Sequence, residues 1–182
     1  SARPSAAEPV SAQRFARRES VRGSVTSRQV AMPIQCGVDA VPLCFPDGLG
    51  LAGYGPLAGE GYGDDEPDPR TRLMARALVL ESSASVVSEA RPLFLVVVDL
   101  MGSSLRLQQR VVDRLRSAAI PVDDAHLILL ASHTHSAPGQ YFGTSLYDAF
   151  AQSPAGHRED VAPVIEDAVA RACQQADAQR RP

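Results

Sequence analysis

The chain has 182 residues, of which 45% are hydrophobic and 21% are charged, and its formal net charge is −3. This composition is typical of a globular protein with a hydrophobic core, and the net negative charge argues against an electrostatic nucleic-acid binder. No apolar run is long enough to cross a membrane, and the first thirty residues contain no signal-peptide core. We therefore predict no nucleic-acid partner and no transmembrane segment. The oligomeric state and the compartment (secreted, periplasmic or cytoplasmic) stay open.

The amino-terminal segment differs in composition from the rest of the chain. Residues 1–30 are polar, rich in Arg and Ser, and without clean periodicity, so we expect a poorly ordered extension. We expect residues 31–182 to form one α/β domain. An oxidising compartment would allow Cys36 and Cys44 to form a disulfide, but buried free thiols are commoner for three cysteines, of which Cys173 is the third.

Short apolar segments at residues 34–41, 76–81 and 93–99 are predicted strands. A Gly- and Pro-rich loop over residues 47–68 separates the first two strands. A loop of this length is unusual unless it is functional, although its glycines also serve simply to turn the backbone. Residues 94–98 of the third strand are continuously apolar, which is typical of a central strand covered on both faces.

The second half of the chain alternates helix, strand and helix. From Ser104 to Ala119 the apolar residues recur at helical spacing, and the apolar run Leu127–Ala131 that follows has the length of a buried strand. A second helix is predicted from an N-cap at Asp160 to Ala176. Strand, helix and strand form a βαβ unit, so we predict an α/β fold with a mixed sheet, flanking helices and at least one βαβ unit.

The residues after the last predicted strand carry the clearest chemistry. His133 and His135 are two apart, and an extended backbone would place both imidazoles on one side, where they suit a metal ion. Zinc takes three or four ligands, so the pair alone also fits two structural, hydrogen-bonded histidines. Asp99 either holds one of these histidines as an outer carboxylate or caps the following helix. We expect His126 to be structural and His157 to be exposed.

The motif also resembles a known family. Residues 132–139 (Ser-His-Thr-His-Ser-Ala-Pro-Gly) resemble the Thr-His-Thr-His-Ser-Gly-Pro signature of the neutral/alkaline non-lysosomal ceramidases, which are zinc-dependent amidases. This chain has Ala137 where the family usually has Gly. Weaker similarities occur in the same order along the chain, so that the resemblance covers roughly residues 34–176; they lie at residues 37–40, 51–55, 68–81 and 98–102.

The resemblance implies a zinc-dependent hydrolase that cleaves the N-acyl amide bond of ceramide or a related lipid by means of metal-activated water. It implies that His133 is a zinc ligand and that His135 is a catalytic residue beside the metal. Tyr54, in a turn that the resemblance brings to the active-site rim, is an expected substrate-binding residue. Tyr141 is expected to line an acyl-chain pocket, although it would equally fill the core. The implied cofactor is Zn²⁺, and the implied partner is a lipid-like N-acyl substrate.

Two other interpretations stay open. The family's remaining ligands, a His, a Glu and a Tyr, come from much later in its chain, so we expect these residues to be an incomplete part of a larger catalytic domain. The domain would then be a non-catalytic fragment in which the His-Thr-His pair is structural. A different metal hydrolase, in which His133 and His135 act with a carboxylate such as Asp99, is the third interpretation.

Overall fold

The structure, a computed structural model, describes residues 34–54, 60–62, 72–82, 91–148 and 157–182. The extension predicted for residues 1–30 lies outside the described residues, and so do parts of the glycine-rich loop. In the described part of the chain, no helix has the length and apolar character that crossing a membrane requires.

Six strands and three helices occur in this part of the chain. The strands are β1 (Ile34–Pro42), β2 (Leu49–Gly50), β3 (Glu60–Tyr62), β4 (Met74–Ser82), β5 (Leu93–Val98) and β6 (Leu127–Ala131), and the helices are α1 (Leu105–Ser117), α2 (Ser145–Asp148) and α3 (Val161–Ala178). One sheet has the order β1-β4-β5-β6, while β2 and β3 pair separately. The β1–β4 and β4–β5 pairs are antiparallel and the β5–β6 pair is parallel, so the predicted mixed sheet is confirmed.

The unit β5-α1-β6 is the predicted βαβ unit. The helix begins as the sequence predicts, because the Ser104 Oγ accepts a hydrogen bond of 3.1 Å from the Leu107 N–H. The alternative that Asp99 caps this helix is therefore wrong. The Asp99 carboxylate instead accepts from the Met74 N–H at 2.9 Å and from Arg76 at 2.8 Å, which ties the end of β5 to β4.

The second long helix, α3, packs against both β1 and α1. It begins after Asp160 as predicted, although the Asp160 carboxylate bonds to Arg158 and makes no capping bond to the helix. Glu166 is buried between the two helices, where its carboxylate accepts from Arg110 at 2.9 Å and from Arg114 at 3.1 Å. This pair of ionic hydrogen bonds joins α1 to α3 on one side of the sheet.

The opposite side of the sheet is largely apolar, and within the described ranges no helix covers it. Val38, Leu78, Leu95 and Ile128 pair in register across all four strands, so their side chains form one row, which we call the open face. Val38 is 63% exposed and Ile128 is 41% exposed. The prediction that residues 94–98 and Leu127–Ala131 are covered on both faces is wrong, because α1 and α3 both cover the other face of the sheet.

The three cysteines are free thiols, as the sequence favours. Cys173 is buried in α3, as expected for a structural thiol. Cys36 and Cys44 are exposed, so the expectation of burial is wrong for these two residues. The alternative of a Cys36–Cys44 disulfide is not what the structure shows.

Candidate active site

The two motif histidines lie at the carboxyl end of the parallel strand pair β5–β6. The Ser132 N–H donates to the Val98 carbonyl at 3.0 Å, and the Thr134 N–H donates to the Leu100 carbonyl at 3.2 Å. The rings of His133 and His135 are 5.3 Å apart and nearly perpendicular. The prediction that the two imidazoles are neighbours is confirmed, but the extended backbone from which it was derived is wrong. His133 has a left-handed φ of 61°, so the segment is not an extended continuation of β6.

The orientation of the His133 ring is set by a backbone group. Its Nδ1 lies 2.7 Å from the Met101 carbonyl oxygen. A carbonyl can only accept, so Nδ1 carries a proton, and in the neutral ring Nε2 then keeps its lone pair for a ligand. The Met101 carbonyl therefore holds this histidine. The interpretation that Asp99 holds it is wrong, because the Asp99 carboxylate bonds to Arg76 and to the Met74 N–H of β4.

The turn at residues 50–54 packs against the motif and reaches His135. The Ala52 N–H donates to the Ala137 carbonyl at 2.9 Å, which anchors the turn to the motif. Gly53 then has a φ of +90°, and a Cβ at this position would lie 2.3 Å from the His135 ring. The ring of Tyr54, which is 56% exposed, contacts the His135 ring edge-on at 5.5 Å. Glycine at residue 53 is thus what allows His135 to occupy its place.

Tyr141 lies behind the site and not on its surface. Only 2% of the residue is exposed, and its ring stacks on Phe142 with 4.3 Å between the centroids. Its Oη donates to the Gly102 carbonyl at 2.7 Å and accepts from the Gly102 N–H at 3.2 Å. Burial raises the pKa of Tyr141 well above its usual range, so the phenol stays protonated at neutral pH. Substrate binding by Tyr141 stays a prediction, and this burial favours a supporting role.

A cavity of about 440 Å³ opens beside His133. Its walls include the apolar side chains of Met101, Phe142 and Tyr147, together with the hydroxyl residues Ser103 and Ser104. A larger depression of about 910 Å³ lies between α1 and α3, but charged side chains line it and no histidine does. The smaller cavity is therefore the one that the candidate chemistry adjoins.

The other two histidines occupy structural positions. The His126 Nδ1 lies 2.5 Å from an Asp123 carboxylate oxygen in the turn before β6, and this hydrogen bond lowers the pKa of Asp123. His157 is only 21% exposed, so the expectation of an exposed residue is wrong. Its Nδ1 lies 3.6 Å from a carboxylate oxygen of buried Asp148, and that carboxylate also accepts from the Phe142 N–H at 2.9 Å.

The donor set fits one side of a zinc site. His133 offers Nε2, and His135 lies beside it at a ring separation of 5.3 Å. Within the described ranges, no group of three or more His, Cys, Asp or Glu side chains is arranged to hold a metal ion. A zinc site takes three or four protein ligands, so these residues fit part of such a site and do not complete it.

Comparison with known proteins identifies the family. The model of the neutral/alkaline non-lysosomal ceramidases, N-terminal part, matches residues 47–182. The chain belongs to this family. It is 32% identical over 135 residues to the neutral ceramidase of Pseudomonas aeruginosa, an alignment that covers 74% of this chain and 18% of that protein.

Solved ceramidase structures share the fold. The chain superposes on the crystal structure of neutral ceramidase from Pseudomonas aeruginosa with a TM-score of 0.69 and 27% identity. It superposes on a ceramidase complexed with C2 with a TM-score of 0.68 and the same identity. Each alignment covers 83% of this chain and 22% of the ceramidase chain. The chain thus spans about a fifth of the length of the ceramidases it matches, and the α/β fold expected from the sequence is confirmed.

Sequence reasoning missed the groups that support the histidines. Neither the Met101 carbonyl nor the Gly102 peptide carries a sequence signal, because every residue has the same backbone groups. The Gly-Tyr pair at residues 53 and 54 was the one available signal for the support of His135.

Proposed function

We propose that this chain forms part of the active site of a zinc-dependent ceramidase, which hydrolyses the N-acyl amide bond of ceramide or a related lipid. The observation that carries the proposal is the 2.7 Å hydrogen bond from His133 Nδ1 to the Met101 carbonyl, which leaves Nε2 available beside a second imidazole. Membership of the ceramidase family supports the reaction class.

In this proposal each residue has a distinct task. His133 would hold the zinc ion through Nε2, and His135 would contact the reacting carbonyl group. Zinc bound there would supply a Lewis acid and a water molecule of lowered pKa for attack on the amide. Tyr54, half-exposed and edge-on to His135, contacts the substrate at the rim.

The neighbouring cavity supports a lipid substrate. Its volume of about 440 Å³ is in the range of small-molecule sites, and Met101, Phe142 and Tyr147 give it apolar walls. Burial of an alkyl chain against such walls gains about 0.8 kcal/mol per methylene group, so an acyl chain is a better occupant than a polar group.

A second candidate function is a metal-holding or structural domain that does not catalyse hydrolysis by itself. The observation that favours it is the shortage of ligands, because the described residues contain no metal-binding group of three or more side chains. The two candidates differ in one property, which is hydrolysis by the zinc-loaded protein.

The test is a zinc titration of the chain beside two single variants, followed by an assay with ceramide in detergent micelles. Because the described residues supply part of a zinc site, we expect weak zinc binding by the wild type and none by His133→Ala. The matched control is His126→Ala, which removes an imidazole at the other end of β6 and should keep the zinc. Zinc binding with hydrolysis supports the ceramidase. Zinc binding without hydrolysis supports the second candidate. If His133→Ala binds as much zinc as the wild type does, His133 is not a zinc ligand in either candidate function.

A further inference from the structure

The Tyr141 hydroxyl bonds to both backbone groups of Gly102, which belong to two successive peptide groups beside the site. The Gly102 N–H donates to the Tyr141 Oη at 3.2 Å, and the Oη in turn donates to the Gly102 carbonyl at 2.7 Å. A buried phenol with both a donor and an acceptor partner has its hydrogen-bonding capacity satisfied. The contact therefore defines the direction of the Gly102 N–H closely.

The Gly102 N–H belongs to the same peptide group as the Met101 carbonyl, which accepts the hydrogen bond from His133. The peptide between Met101 and Gly102 is planar, and its N–H and C=O bonds point in opposite directions. One side of it meets Tyr141, and the other side accepts from His133 Nδ1 at 2.7 Å. Fixing the N–H thus fixes the C=O, and hydrogen bonds in such a chain also polarise one another.

The Met101–Gly102 peptide lies in neither a strand nor a helix, so side chains must hold it in place. Met101 and Gly102 lie between the end of β5 and the start of α1, so neither element's regular hydrogen bonds hold the peptide between them. His133 is exposed, so surrounding packing contributes little to the direction of its ring, and the hydrogen bond to the Met101 carbonyl is what directs Nδ1. Tyr141, in contrast, is buried and stacked on Phe142.

We propose that Tyr141 is a positioning residue, which acts through the Met101–Gly102 peptide to hold His133 in the Nδ1–H tautomer with Nε2 directed outward. Its benefit to zinc binding rests on the proposed function, whereas its effect on the tautomer does not. Groups that hydrogen-bond a ligating histidine directly contribute about 10-fold to 100-fold to metal affinity, and Tyr141 acts one hydrogen bond further out, so its effect should lie at the lower end of this range.

The experiment uses the 182-residue chain with ¹⁵N-labelled histidine, at a pH of about 8 where imidazoles are neutral. The tautomer of His133 is read by NMR without metal, and zinc affinity is then measured by titration. Tyr141→Phe removes one oxygen atom and keeps the ring. We expect the wild type to show the Nδ1–H tautomer, and Tyr141→Phe to show a mixture of tautomers and about tenfold weaker zinc binding.

The control is Glu166→Gln, which weakens the ionic link between α1 and α3 and leaves the site untouched. It should lower stability without changing the tautomer of His133. Two results would overturn the proposal: a Tyr141→Phe chain with the wild-type tautomer and zinc affinity, or a wild-type His133 in the Nε2–H tautomer. The second result does not depend on whether the variant folds. A tautomer change in Tyr141→Phe without zinc binding by the wild type would support the positioning role and would count against a zinc ion held by this chain alone.

Discussion

The place of His135 depends on the absence of a side chain at residue 53, and Gly53→Ala tests this dependence. The new Cβ would lie 2.3 Å from the Cε1 and Nδ1 atoms of His135, and 3.0 Å from the Met101 sulfur. Ordinary contact between such atoms requires about 3.5 Å or more, so the imidazole must move by roughly 1 Å. The variant should therefore displace the ring.

Two separate costs follow from this substitution. The φ of +90° at Gly53 is unfavourable for alanine by about 1–2 kcal/mol, which corresponds to a loss of roughly 2–8 °C in Tm for a chain of this size. A displacement of roughly 1 Å at a reacting group lowers catalytic rates by about 100-fold. We therefore expect a moderate loss of stability and a much larger loss of ceramide hydrolysis in any form of the protein that has this activity.

Gly48→Ala separates these two costs. Gly48 has a φ of +72°, and a Cβ there would have no atom within 4 Å, so this variant has a similar backbone penalty and no clash. Thermal unfolding and the NMR shifts of the His135 ring are measured for both variants. Equal His135 shifts in Gly53→Ala and Gly48→Ala would refute the reasoning, because the clash would then have no effect on the ring.

Two further predictions concern packing and thiol chemistry. In Gly37→Ala the new Cβ would lie 2.0 Å from the carbonyl oxygen of Ala176 at the end of α3, so we expect overpacking to cost about 1–3 kcal/mol in the free energy of unfolding, measured by denaturant titration. If the variant is as stable as the wild type, α3 can shift to make room for the new Cβ, and the expected overpacking is contradicted. Burial raises the pKa of Cys173 to about 12, whereas Cys36 and Cys44 are exposed, so two thiols per native chain should react with a thiol reagent at neutral pH and three in denaturant. Because the folded thiol keeps its proton up to about pH 12 while the unfolded thiol loses it near 9, stability should fall as the pH rises through this window. Rapid labelling of all three native thiols would contradict this burial.

Periodicity predicted most of the fold correctly. The helical stripe that begins at Ser104 and the apolar run Leu127–Ala131 lead directly to the β5-α1-β6 unit that the structure contains. The same apolar runs led to a wrong prediction of burial on both faces. An apolar pattern shows which surfaces favour burial, and it does not show what covers them. Leu130, for example, follows a buried strand pattern in sequence and is 50% exposed.

The sequence predicts which side chains form the site, but it does not predict the backbone conformation and the long-range contacts that position them. A two-residue spacing identified His133 and His135, and a Gly-Tyr pair pointed to the turn beside them. The left-handed backbone at His133 has no sequence signal, because the residue type that favours it, glycine, is absent there. Likewise, the two hydrogen bonds between Tyr141 and Gly102 depend on the packing of residues thirty-nine apart, which no local pattern reports.

The open face determines how the chain behaves in solution. Val38 and Ile128, the members of this row on the two edge strands, are exposed, so the isolated chain should bind a hydrophobic dye such as ANS while still folded. Sulfate and similar salts strengthen apolar association, so the solubility of the chain should fall as their concentration rises. Ile128→Thr keeps the β-branched shape that suits a strand and adds a hydroxyl group. It is therefore a suitable first substitution for the preparation of concentrated samples.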